Sequence, residues 1–199
     1  VGSEMCIRDS SQFNLPIVSV DMPNVPFEEL NGIDVVTMES KKNLKKIINQ
    51  LIEKGAESFG FVGDLYSPNV SRGFQERYNA LSECLAEHQL PLNQKNCLLH
   101  QTPEDFRNFQ TTVNNLQAMI SLPDVFICGN DWTAIQLIYA LQFLGFQIPK
   151  DICVVGFDNI PAASRISPSL TTISTPQKYL GICLLYTSPS PRDVEEYRM

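Results

Sequence analysis

The sequence predicts an α/β fold in which helices cover both faces of a parallel sheet. Two patterns carry that expectation. Short apolar runs alternate with stretches whose apolar residues recur at helical spacing. Several of the apolar runs also end in Asp or Asn, as in VSVD, FVGD, FICGND and VVGFDN. The 199 residues are 43% hydrophobic and 19% charged, which suits a globular chain of one good-sized domain or two small lobes.

The elements follow in order. Residues 15–20 (LPIVSV) and 33–38 (IDVVTM) are strand-like. Leu44, Ile47, Ile48, Leu51 and Ile52 repeat at helical spacing, with Gly55 as a stop. Residues 59–62 (FGFV) form a strand closed by Gly63 and Asp64. Residues 74–86 are helical, with Phe74, Tyr78, Leu81 and Leu85 on one face, and 97–99 form a weaker strand. Pro103 suits the first position of a helix running towards Ile120. Residues 125–128 form a strand, and an amphipathic helix through Ala134, Ile135, Leu137, Ile138, Leu141 and Leu144 stops at Gly145. Residues 152–157 are a strand, and Pro161 with the Ser-rich ISPSLTT segment precludes a helix directly after it.

Charge and composition exclude several function classes. The formal net charge is −7, so these residues carry no electrostatic footprint for a phosphate backbone. No apolar run is long enough to span a bilayer, and VGSEMCIRDS lacks the apolar core of a signal peptide. The six cysteines form no CxxC pair, and Cys128 and Cys153 sit inside apolar runs, where a reduced cysteine is a small hydrophobe. A reducing, cytoplasmic setting is expected, with no metal and no cofactor. His88 and His100 are isolated, and no nucleophile elbow or Gly-rich phosphate loop is present, so no catalytic residue is assigned.

In a parallel sheet the ligand crevice lies beyond the carboxyl ends of the strands. That places Asn130, Asp131, Asp158 and Asn159 at one edge, with Asp21 and Asp64 as further candidates there. Converging amides and carboxylates suit a ligand rich in hydroxyls or amides. Asp131 can equally be a helix cap. Trp132, the single tryptophan, can stack on a sugar face or pack at a helix start.

From Phe13 to Gly181 the sequence resembles the effector-binding domain of the lactose-repressor (LacI/GalR) family of transcription regulators. The resemblance rests on Asn130-Asp131, Ile148-Pro149-Lys150-Asp151, Val155-Gly156-Phe157-Asp158, and Pro168 with LTTI and Pro176; upstream, on PIVSVD, FVGD and SRGFQERYNALSECLAEHQLP. It implies a type I periplasmic-binding-protein-like fold of two lobes with the N-terminal lobe truncated. It also implies a small effector such as a sugar or nucleobase, a homodimer, and operator DNA bound through an N-terminal helix-turn-helix missing from this sequence. On the family's pattern Arg77 is the ligand-contacting arginine, Asn130 and Asp158 line the cleft, and Asp21 stands at its wall. Glu39-Ser40 and Ala80 depart from the family's usual Asp-Asn and Gly, which blurs the choice of effector. The resemblance divides the chain into residues 13–38 (remnant of the N-terminal lobe), 39–172 (C-terminal lobe) and 173–182 (crossover). Residues 1–12 and 183–199 read as translated library scar, the latter containing Pro189 and Pro191, which cannot continue a helix. The competing expectation is a sugar receptor of an ABC transporter, which shares the fold.

Overall fold

The computed structural model describes residues 17–20, 33–66, 72–100, 105 and 108–187. These fall into two compact units, described separately: one combines the chain up to Met38 with the chain from Pro176 onward, and the other is Glu39–Thr175.

In the first unit, β1 (Ile17–Val20) and β2 (Ile33–Val36) pair in parallel, with Ile17 opposite Ile33 and Val20 opposite Val36. The helix Gln177–Thr187 packs on both strands. It runs on through Cys183–Thr187, residues that the sequence reading set aside as non-native; their apolar run CLLY is compatible with a helix whatever its origin. Pro189 and Pro191 lie outside the described residues.

The second unit is built on β3 (Phe59–Val62), β4 (Val125–Cys128), β5 (Cys153–Asp158) and β6 (Thr171–Ser174), paired in that order and all parallel. The weak strand expected at 97–99 is reduced to one parallel bridge, Leu98 to Val62. Helices α1 (Lys41–Glu53) and α2 (Arg72–Glu87) pack together. So do α3 (Phe109–Ala118) and α4 (Asp131–Phe143), with α4 lying on β4 and β5; the helix Gln177–Thr187 is α5.

Every residue of β3 and β4 is buried, as a sheet covered on both faces requires. Phe126, Cys128 and Val154 join one apolar cluster with Val113 and Leu116 of α3 and Ala134, Leu137, Ile138 and Leu141 of α4. Their strand neighbours Phe61, Ile127, Val155 and Phe157 are buried on the opposite face, where Tyr78 of α2 meets the Phe61 ring edge-on at 5.5 Å. Gly55 and Gly145 end α1 and α4 with φ of +96° and +93°. After each, the next residue's N–H reaches back into the last turn, Ala56 to the Leu51 carbonyl and Phe146 to the Leu141 carbonyl, both at 3.0 Å. A glycine adopts that left-handed conformation without penalty, as the sequence pattern predicts.

Two expectations are corrected. Helix α3 begins after Asn108, whose side chain faces the Thr111 N–H at 3.4 Å, rather than running continuously from Pro103, which lies outside the described residues. The extended backbone of Asn108 starts α3 afresh there, so no single helix runs on to Ile120. Helix α4 begins at Asp131 and is not simply amphipathic. Asp131, Thr133, Ala134, Ile135, Leu137, Ile138, Ala140 and Leu141 are all buried, because the helix is enclosed over most of its circumference.

Candidate functional site

The carboxyl ends of β3, β4, β5 and β6 lead into Gly63-Asp64, Gly129-Asn130, Asp158-Asn159 and Thr175 respectively. Parallel pairing brings these segments to one edge of the sheet. The sequence-predicted Arg77, Asn130, Asp131, Trp132 and Asp158 all belong to this unit; Asp21 lies outside the described residues.

Arg77 projects from α2 across the ends of two strands. Its Nη1 donates to the Gly129 carbonyl at 2.5 Å, and its guanidinium carbon stands 3.7 Å from the centre of the Phe157 ring. A cation over an aromatic face is attracted by the ring's quadrupole, which holds the guanidinium at the ends of β4 and β5. The ring of Phe74, one turn earlier, is centred 5.8 Å from the guanidinium carbon. Gly129 makes this possible: a Cβ there would lie 2.9 Å from carbons of the Phe74 ring.

Asn130 has extended backbone and accepts the Thr133 N–H on Oδ1 at 2.9 Å, so it is the N-cap of α4. With that oxygen engaged, the amide offers a ligand chiefly its NH2 donors. Trp132, in the first turn, is 63% exposed.

Asp131 is fully buried and its two oxygens bond inside the fold. Oδ1 accepts the Thr172 hydroxyl at 2.6 Å and Oδ2 accepts the Ile160 N–H at 2.8 Å. The carboxylate lies directly over the backbone of β5, for a Cβ on Gly156 would come within 2.2 Å of Oδ1.

Asp158 closes β5 with φ of 107°, and Asn159 follows at 55°. Two successive non-glycine residues with positive φ are uncommon, and the first lies where a side chain is strained. The Thr175 hydroxyl donates to Asp158 Oδ1 at 3.1 Å, and the Asn159 N–H donates to Thr172 Oγ1 at 3.2 Å. Asp64 at the end of β3 is buried and accepts the Tyr66 N–H at 3.1 Å.

Sequence reasoning assigned no role to Thr172, Thr175, Gly156 or Phe157 individually. Their signals were present as the segments VGFD and LTTI, but a hydroxyl that reaches a carboxylate across the sheet leaves no periodic trace. Cys128, beside this edge, is buried, and burial pushes its thiol far above the ordinary value, so it is a poor nucleophile. Among the described residues no cluster of His, Cys, Asp and Glu could hold a metal ion, and no helix is long and apolar enough to cross a membrane.

Residues 48–182 match the family described as periplasmic binding protein-like domain. Catabolite control protein A of Staphylococcus xylosus is 30% identical over 172 residues, 83% of this chain and 49% of that protein. The ribose operon repressor of Haemophilus influenzae is 29% identical over 171 residues, 84% of this chain and 48% of that protein. The HTH-type transcriptional repressor PurR of Vibrio parahaemolyticus is 35% identical over 107 residues, 54% of this chain and 31% of that protein. The chain thus spans about half the length, or less, of these relatives. A LacI transcriptional regulator from Bacillus cereus subsp. cytotoxis superposes with a TM-score of 0.79 at 20% identity, covering 99% of this chain and 66% of that one. The lac repressor dimer bound to operator and an anti-inducer superposes with a TM-score of 0.73 at 18% identity, covering 94% of this chain and 62% of that one. At those identities the structural likeness shows the fold.

Proposed function

Because this chain belongs to the periplasmic binding protein-like domain family, in the form that LacI/GalR regulators carry, we propose that it senses a small effector for a DNA-binding transcription regulator. The observation that carries this reading is the placing of Arg77 across the ends of β4 and β5, beside Asn130 and Asp158. A flat fork of donors, an amide and a carboxylate on adjacent strand ends suit paired hydroxyls or ring amides, hence a sugar or a nucleobase. Arg77, Asn130 and Asp158 are the effector contacts, with Trp132 at the rim; Asp21 is included on the family's pattern alone. The relatives named above are a catabolite control protein and two repressors, which supports action by binding.

Operator DNA is contacted through a helix-turn-helix outside these residues, consistent with their net charge of −7. The regulator works in the cytoplasm as a homodimer, and the effector acts by its different affinity for two conformations.

Titration calorimetry with D-ribose, D-xylulose and hypoxanthine tests the proposal. At least one should bind. Arg77→Lys keeps the charge but loses the fork, and should weaken that ligand about tenfold or more. Asp158→Ala should weaken it further. No heat with any of the three, or unchanged affinity in both variants, contradicts the assignment.

A further inference from the structure

We infer that Asp131 is a positioning residue: its buried carboxylate, working through the Thr172 hydroxyl, holds the Asp158–Asn159 turn in the conformation that presents Asp158. The inference rests on the reading of Asp158 as an effector contact and assigns Asp131 a place behind the site rather than in it.

The Thr172 hydroxyl donates its single proton to Asp131 Oδ1, at 2.6 Å. The Thr172 oxygen is left with lone pairs and accepts the Asn159 N–H at 3.2 Å. The next amide, Ile160 N–H, goes straight to Asp131 Oδ2 at 2.8 Å. Two successive amides that have left the β5 ladder are therefore tied to one carboxyl group, one directly and one through a hydroxyl. A bond to a charged acceptor away from water is stronger than a neutral one.

Those amides are the ones whose orientation defines the turn. Asp158 at φ of 107° and Asn159 at 55° reverse the strand's normal backbone sense, and such a conformation persists where its surroundings over-determine it. Asp131 supplies that determination, and Gly156 supplies the space, since any Cβ there would collide with Oδ1. Full burial keeps Asp131 itself from touching a ligand in the crevice. The Asp158 carboxylate is fixed separately, by the Thr175 hydroxyl.

The test uses the full 199-residue chain, isotope-labelled, with no effector. A positive φ brings a residue's own amide and α protons unusually close, so Asp158 and Asn159 should show strong intraresidue amide–α NOEs. In Thr172→Val these should fall several-fold and the Asn159 amide should exchange at least tenfold faster, while Ile127 in β4 keeps its protection. Thr172→Ser should restore both signals, and Asp131→Asn should behave like Thr172→Val. An unchanged turn in a folded Thr172→Val overturns the inference. Should that variant not fold, the wild-type chain decides: a Thr172 hydroxyl proton with an NOE to the Asn159 amide supports the relay, and its absence overturns it. Because no ligand is present, this result stands apart from the titrations of Asp158→Ala, which test the contact itself.

Discussion

The two edges of the four-stranded sheet carry the same chemical groups and use them in opposite ways. At the amino edge, Asp124 precedes β4 and Ser58 precedes β3. Asp124 Oδ2 accepts the Glu57 N–H at 3.0 Å, the Ser58 N–H at 2.9 Å and the Ser58 hydroxyl at 2.8 Å; Ser58 Oγ accepts the Asp124 N–H at 2.9 Å in return. The pair closes on itself and pins two strands together. At the carboxyl edge, Asp158 sits in strained backbone and receives Thr175 on Oδ1 at 3.1 Å. An aspartate beside a strand is a staple when local N–H groups converge on it in relaxed backbone. It becomes a candidate contact when the fold spends conformational energy to aim it.

The sharpest way to break that comparison is Asp158→Gly. Truncating a hydrogen-bonded charge at a binding site costs about 2–5 kcal/mol, so effector affinity should fall about 30-fold or more. Yet glycine adopts φ of 107° freely, and relief of about 1–3 kcal/mol of strain should leave the melting temperature equal or higher despite the lost Thr175 bond. A clear drop in melting temperature with affinity retained would make Asp158 a staple like Asp124.

Asp124→Ala should give the opposite result. It removes three bonds to a charged acceptor at an exposed site, and a loss of about 1–2 kcal/mol in urea unfolding is expected, with effector affinity unchanged. Acid sharpens the contrast. Burial pushes the Asp124 carboxyl upward, but the Ser58 hydroxyl and the Glu57 and Ser58 amides outweigh it and hold it below its ordinary value. A carboxyl lowered in the folded state adds stability above its unfolded value, and that stability is lost as pH falls through the folded one. The wild type should therefore lose stability below about pH 4 more steeply than Asp124→Ala. Parallel acid profiles would show that the staple contributes nothing.

How much of this contrast the sequence discloses depends on range. The strands FGFV and VFIC and the stops at Gly55 and Gly145 follow from local periodicity and conformational preference, and the structure places them as read. The edge on which Asn130 and Asp158 stand follows from parallel topology alone. The left-handed turn at Asp158, the internal use of the Asp131 carboxylate and the Thr172 hydroxyl beneath it depend on residues 13 to 41 positions apart, and no local pattern encodes them. The cap at Asn130 rather than Asp131 was a choice between two good cap residues one position apart, settled by which of them the buried face of α4 claims.

The smallest expected effect belongs to Trp132, and it examines the carboxyl edge without altering its charges. Trp132 is 63% exposed, so Trp132→Ala should change stability by no more than about 0.5 kcal/mol. Its place in the first turn after Asn130 puts it at the rim of the proposed site, and loss of stacking should weaken a sugar or nucleobase by less than about tenfold. As the single tryptophan it also reports its own surroundings. Saturation with an effector should shift its emission more than urea unfolding does, because folding already leaves most of the ring in water. The reverse ordering would mean that the ring is held by packing, and that the carboxyl edge is more like the self-closed amino edge than Asp158 implies.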